Sequence, residues 1–216
     1  GDDIAALLAL PDDAPLRSPR PVTVAAMIAA VDEARHRADS IGGCFEVMAR
    51  GIPPGLGSHV HWDKRLDARL GAAMLSIQAV KGVAIGDGID VAAGGGREAH
   101  DPIGYDPPAR RFTRPTNRAG GIEGGMTNGE VVRLRAYLKP LATLPEPLPS
   151  VDLVTKERSV AEVERTDTVP IVAAGVVGEA MAALVLADAM LEKFGGDSLR
   201  ETRTNLDAYV QNLGEY

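Results

Sequence analysis

Apolar side chains at Val24, Met27, Ile28, Val31, Ala34 and Ala38 follow the three-and-four spacing of one helix face. The spacing predicts an amphipathic helix over 24–39, with Thr23 as its N-cap and Val22 and Met27 as a hydrophobic staple. Gly42–Gly43 ends it. CFEVMARGIP, 44–53, alternates as a strand does, and PPGLGS, 53–58, is a loop. Leu66, Leu70, Ala73, Met74, Ile77 and Val80 mark a second helical face, with Asp63 placed to cap it. VKGVAIGDG, 80–88, reads as a strand entering a turn. In 130–139, Val132, Leu134, Ala136 and Leu138 point to a core, while Arg133, Arg135 and Tyr137 point away from it.

Further along, LPEPLPS (144–150) is a proline-rich turn and VDLVT (151–155) a short strand. A helix over 169–194 is apolar on nearly all sides and stops near Gly195–Gly196. A last amphipathic helix follows, capped by Asp197 or Ser198. Residues 1–21 read as a short helix and a linker with Pro11, Pro15, Pro19 and Pro21. Residues 90–116 form a long loop rich in Gly, Pro, Asp and Arg, a length that marks function or disorder. Strands and helices interleave without tight βαβ units, which predicts an α+β or layered α/β fold.

Composition narrows the partners. The chain has 216 residues, 45% of them hydrophobic, enough for a substantial core. A net charge of −7 argues against a nucleic-acid or membrane-surface partner, so an anionic ligand needs a local basic cluster. Cys44 stands alone, which excludes an intrachain disulfide and fits a reducing, cytoplasmic setting. TVPIVAAGVVGEAMAALVLA, 168–187, is long enough to cross a bilayer. Glu179, Gly175 and Gly178 within it favour burial in a core or an oligomer interface instead. The opening GDDIAALLALPDD has neither an initiator Met nor a signal-peptide pattern, and predicts a chain that begins mid-protein.

Three constellations are candidates for chemistry. NRAGGIEGGMTNGE, 117–130, carries glycine at 120, 121, 124, 125 and 129 but has neither dinucleotide nor P-loop spacing. From spacing alone, two turns or bulges are the preferred reading. A bare backbone beside the Arg-rich loop and the Arg133–Arg135 face also suits an anionic or planar ligand. In VERTDTVP, 163–170, Thr168 is a candidate N-cap and Pro170 falls in the first helical turn. Arg165 and Asp167 then lie near the positive end of a long helix, forming an anion site or an ordinary ion pair. His59 and His61 have strand spacing but no third ligand, so no metal is expected.

The wording of several stretches goes further. GIPPGLGSHVHWDKRLDARLGAAMLSIQAVKGVAIGDG, TNRAGGIEGGMTNGEVVRLRAYLKPLATL and VERTDTVPIVAAGVVGEAMAALVLADAMLEKFGG closely resemble chorismate synthase, in the family's order and over most of residues 20–200. The resemblance implies a lyase. It converts 5-enolpyruvylshikimate 3-phosphate to chorismate and phosphate by 1,4-anti elimination, the last step of the shikimate pathway. It implies reduced FMN (FMNH2), with NADP among the family's associated cofactors and a separate flavin reductase as supplier. It also implies a cytoplasmic homotetramer and a layered β-α-β sandwich of antiparallel sheets around helices. The family's GESHG half is missing, so residues 22–216 are expected to be the C-terminal half of that fold, and 1–21 a helix and linker before it.

Residue by residue, the resemblance places flavin contacts at Gln78, Ala79, Gly124, Lys139, Pro140, Leu141, Ala142, Thr143 and Arg165. It assigns Asp167 to proton handling, and Arg165 and Asp167 to the substrate. Gln78 and Thr166 depart from the family's commoner Asn and Ser, and both keep hydrogen-bonding ability. Two alternatives stay beside the enzyme. One is a non-catalytic flavin-binding and oligomerisation half, the other an unrelated anion-binding module.

Overall fold

The computed structural model describes residues 2–11, 13–164 and 167–215. Its helices are α1 (Asp2–Leu8), α2 (Pro21–His36), α3 (Leu66–Leu75), α4 (Gly96–Ala99), α5 (Ile171–Phe194) and α6 (Leu199–Leu213). Its strands are β1 (Gly43–Ala49), β2 (Val80–Ile85), β3 (Gly104–Asp106), β4 (Arg111–Thr113), β5 (Ile122–Glu123), β6 (Met126–Thr127), β7 (Val132–Leu138), β8 (Pro149–Val151) and β9 (Arg158–Val160). β7 is the middle strand of a three-stranded sheet of order β1–β7–β2. β3–β4, β5–β6 and β8–β9 are antiparallel pairs. Helices mixed with antiparallel pairing make the fold α+β. The chain divides into a first unit of residues 1–45, 79–81 and 137–176, and a second of 46–78, 82–136 and 177–216.

In the first unit, α2 starts at Pro21, upstream of the expected Thr23 cap, and Arg20 precedes it without a side-chain cap. Proline's fixed φ and missing N–H suit a first helical turn, so Thr23 becomes an interior residue. Ala34 is the buried contact of α2, 1% exposed. The expected strand at 151–155 is a hairpin instead. The Asp152 carboxylate accepts from the amides of Val154 (2.8 Å) and Thr155 (2.7 Å) and turns the chain after Val151. At the start of α5, the Ala174 amide donates to the Pro170 carbonyl, so Pro170 stands just before Ile171.

The second unit holds most of the core. Leu56, Leu66, Leu70 and Met74 are fully buried, with Val132 and Leu134 at 1%. Cutting Leu70 to Ala would cost about 2–5 kcal/mol. α3 buries the face its spacing predicts, but Arg65 precedes it and Asp63 lies in a 3-10 turn, Trp62–Lys64, that caps nothing. Trp62 in that turn is 81% exposed. Lys64 pairs with Glu192 at 2.7 Å, and Arg69 with Glu192 at 3.2 Å and with Asp188, joining α3 to α5. That contact raises the Lys64 pKa and lowers that of Glu192, in both cases mainly through the hydrogen bond between them. The Ser198 hydroxyl caps α6 by accepting from the Glu201 amide.

The loop at 90–116 is ordered, with a 3-10 segment at Gly88–Ala93, then α4 and the β3–β4 hairpin. Tyr105 and Phe112 meet edge to face across that hairpin, 5.4 Å between centroids. α5 is less covered than its composition predicts. Ala182 and Ala189 are buried, while Val176, Val177, Leu184 and Leu191 are 46–66% exposed. By length and composition α5 could cross a membrane, and 28% of its most apolar window is buried. Glu179, in the middle of α5, is exposed.

Candidate functional site

In the first unit, two candidate stretches meet one short segment, Asp39–Gly42, and a third joins through Lys139. The Ser40 hydroxyl, itself buried, donates to the Leu141 carbonyl at 2.7 Å, and the Ser40 amide donates to Asp39 Oδ1 at 2.8 Å. The Ile41 amide donates to the Thr168 carbonyl at 2.9 Å, one residue from Asp167. The Lys139 amide donates to the Ala79 carbonyl at 2.9 Å. A side chain at Gly42 would press into the Leu138 carbonyl, with Pro140 N at 3.0 Å and Lys139 C at 3.1 Å. Main-chain bonds therefore fix Ala79, Lys139 and Thr168, and the Ser40 hydroxyl fixes Leu141, while Lys139, Pro140, Ala142 and Asp167 stay exposed. The exposed carboxylate of Asp167 can exchange protons, and the Lys139 ammonium can meet an anion.

In the second unit, the glycine segment divides into two kinds of position. A Cβ at Gly121 would lie 2.7 Å from the Val131 carbonyl oxygen, and one at Gly125 would lie 2.8 Å from the Ser58 carbonyl oxygen. Gly120 likewise backs onto Gly86. These three are buried where backbones pass each other. Gly124, at φ +60°, has open space where a Cβ would stand and is exposed. It tips the β5–β6 hairpin, whose far side is pinned by Thr127. That hydroxyl donates to the Pro53 carbonyl (2.7 Å) and accepts from the Leu56 amide (2.8 Å).

The expected cationic strand face is neutralised. Arg133 pairs with Asp87 at 3.1 Å and with Glu46 at 3.5 Å, and Arg135 pairs with Glu46 at 2.9 Å. Arg114 pairs with Glu123 at 2.7 Å. Acidic residues far apart in sequence supply these partners, so the arginines do not form a loose basic patch beside the glycines.

The chorismate synthase family model matches residues 3–191. The chain belongs to the chorismate synthase family. It is 57% identical over 194 residues to the chorismate synthase of Solibacter usitatus, covering 90% of this chain and 50% of that protein. To the chorismate synthase of Thermobifida fusca it is 50% identical over 220 residues, covering 95% of this chain and 56% of that one. A crystal structure of chorismate synthase superposes with a TM-score of 0.77 at 40% identity, over 93% of this chain and 52% of the other. The chain spans about half the length of the curated relatives it matches.

Within the chorismate synthase fold, the residues expected at a site fall into three groups. Ala79, Lys139, Pro140, Leu141, Ala142, Thr143 and Asp167 belong to the first unit, and Gln78 and Gly124 to the second. Arg165 lies outside the described residues, as does Thr166. Ser40, Ile41 and Gly42 were not expected. The signal for them was the Gly42–Gly43 doublet, which reads by itself only as a helix stop.

Proposed function

We propose that this chain carries the Asp167-bearing part of a chorismate synthase, which eliminates phosphate from 5-enolpyruvylshikimate 3-phosphate with reduced FMN bound. The observation that carries the reading is the family match over residues 3–191, with the Asp167 stretch inside it. In the net reaction a ring C–H bond and the C–O bond to phosphate break, and a ring double bond forms. A proton and phosphate leave. Reduced FMN supplies electron density for the departing phosphate and a proton acceptor, with no net redox change.

The residues present suit that cofactor. Gly124 leaves open space on an exposed turn, where a flat ring can approach the backbone. Gln78, Ala79, the 139–143 stretch and Arg165 are the other assigned flavin contacts, and the hydrogen bonds at Lys139 and Leu141 hold the main chain at 139–143 in place. Lys139 and Arg165 meet anionic groups of cofactor or substrate. Asp167 holds the proton at its carboxylate, next to the Thr168 carbonyl that Ile41 fixes. A separate flavin reductase, a homotetrameric assembly and a cytoplasmic setting complete the proposal.

The test is to mix the chain with the complementing half of the S. usitatus relative, add reduced FMN and substrate, and measure chorismate. Chorismate formation is expected. FMN binding without any elimination would refute the reading. A second reading, a flavin-binding half inactive by itself, is favoured by the chain's matching only half of its relatives. Growth of a chorismate-synthase-deficient strain on this chain alone would exclude it.

A further inference from the structure

We propose that Asp101 and Arg114 are positioning residues, a two-point clasp that holds the Gly124 hairpin in register for its ligand. The inference rests on the reading of Gly124 as a flavin contact. Asp101 is a buried carboxylate outside every assigned site. Its Oδ1 accepts from the Thr116 hydroxyl (2.6 Å) and the Arg118 amide (2.8 Å), and its Oδ2 from the Ala119 amide (2.9 Å). Burial works against its charge, but these three donors outweigh it and hold the carboxyl below its ordinary value.

Arg114 anchors the other end of the same strap, residues 114–119. Its side chain is 11% exposed, and it donates to Glu123 Oε2 at 2.7 Å. Its amide donates to Glu130 Oε1 at 3.1 Å. Glu123 pairs with Met126 at the neck of the hairpin, beside Gly124. Between the two anchors, Asn117 accepts from the Gly121 amide and donates to the Val131 carbonyl, both at 2.7 Å. A two-residue ladder is too short to hold its own register. The clasp supplies what the ladder lacks, and it links the ordered 90–116 loop to the hairpin.

Substitution separates positioning from bulk stability. Asp101→Asn keeps the shape but turns an amide N–H towards the Ala119 N–H, and Arg114→Lys keeps the charge but loses the planar fork. Thr116→Val removes one bond of the three and serves if Asp101→Asn fails to fold. Lys64→Ala, which breaks a surface pair elsewhere in the same unit, is the control. Two quantities are measured: amide exchange across 122–127, and FMN affinity by flavin fluorescence, for the chain alone and with the complementing half. The clasp variants should exchange roughly tenfold faster across 122–127 and bind FMN about tenfold more weakly, with the control unchanged in both. Unchanged exchange overturns the clasp. Faster exchange with unchanged FMN affinity overturns its positioning role. Should the unsubstituted chain bind no FMN in either setting, the flavin reading fails, and the exchange data still judge the clasp.

Discussion

The two candidate regions are held by different chemistry. Around Asp39–Gly42, the long-range bonds end on main-chain carbonyls at Ala79, Leu141 and Thr168, and the local Ser40 amide bond ends on the Asp39 carboxylate. Around the glycine hairpin, main-chain acceptors such as Pro53 and Val131 are joined by four side-chain acceptors, Asp101, Glu123, Glu130 and Asn117. A region whose long-range ties end on the backbone depends less on pH and is intolerant of added bulk. A region tied through carboxylates accepts bulk at its open tip and weakens in acid. The difference predicts opposite vulnerabilities within one chain.

The largest effect tests whether the backbone-tied region is where chemistry happens. Asp167→Asn should lower kcat by roughly 100-fold or more in the complemented protein, the range for a proton-transfer group. Near-unchanged turnover would remove Asp167 from the mechanism. Next comes steric intolerance. Gly42→Ala drives a methyl against the Leu138 carbonyl and should cost about 2 kcal/mol, with Tm falling by roughly 5 °C. A Tm shift under a degree would show that the segment gives way.

The open tip should respond mildly. Gly124→Ala meets no neighbour, so its cost is the left-handed φ alone, about 1 kcal/mol. Its fold should persist while FMN affinity drops severalfold. Equal FMN affinity would return the glycines to plain turns. The smallest effect is acid sensitivity. Against the cost of burial, the folded Asp101 carboxyl lies below its ordinary value, held there by its three hydrogen-bond donors. Its contribution is therefore complete above the unfolded value and is lost as pH falls through the lower, folded one. Amide protection at Arg118 and Ala119 should fade in that window before protection at Ile41 and Lys139. Simultaneous loss at all four would erase the contrast.

Periodicity carried much of the fold. Strict alternation in 132–138 and the Leu66–Met74 face appear as drawn, because local spacing alone decides which side is buried. The candidate residues Gln78, Gly124 and Asp167 came together only from resemblance to the family, since no spacing rule links them. Ser40 escaped because its partner lies 101 positions away, and a lone serine has no periodic signature. The Arg133–Arg135 face suits an anionic ligand in sequence because Glu46 and Asp87 reach it only in the folded chain. Thr23 lost the helix start to Pro21, where local ring geometry outweighed capping preference.

Trp62, the one tryptophan, protrudes from the turn that ends at the Lys64–Glu192 pair. Its indole meets much the same solvent before and after unfolding, so its emission should be red-shifted from the outset and change little on melting. The protein thus carries a nearly silent intrinsic fluorophore. Flavin or an introduced dye can be followed against a steady background, and a tryptophan placed in the Leu66–Leu70–Met74 core would supply the missing report on folding.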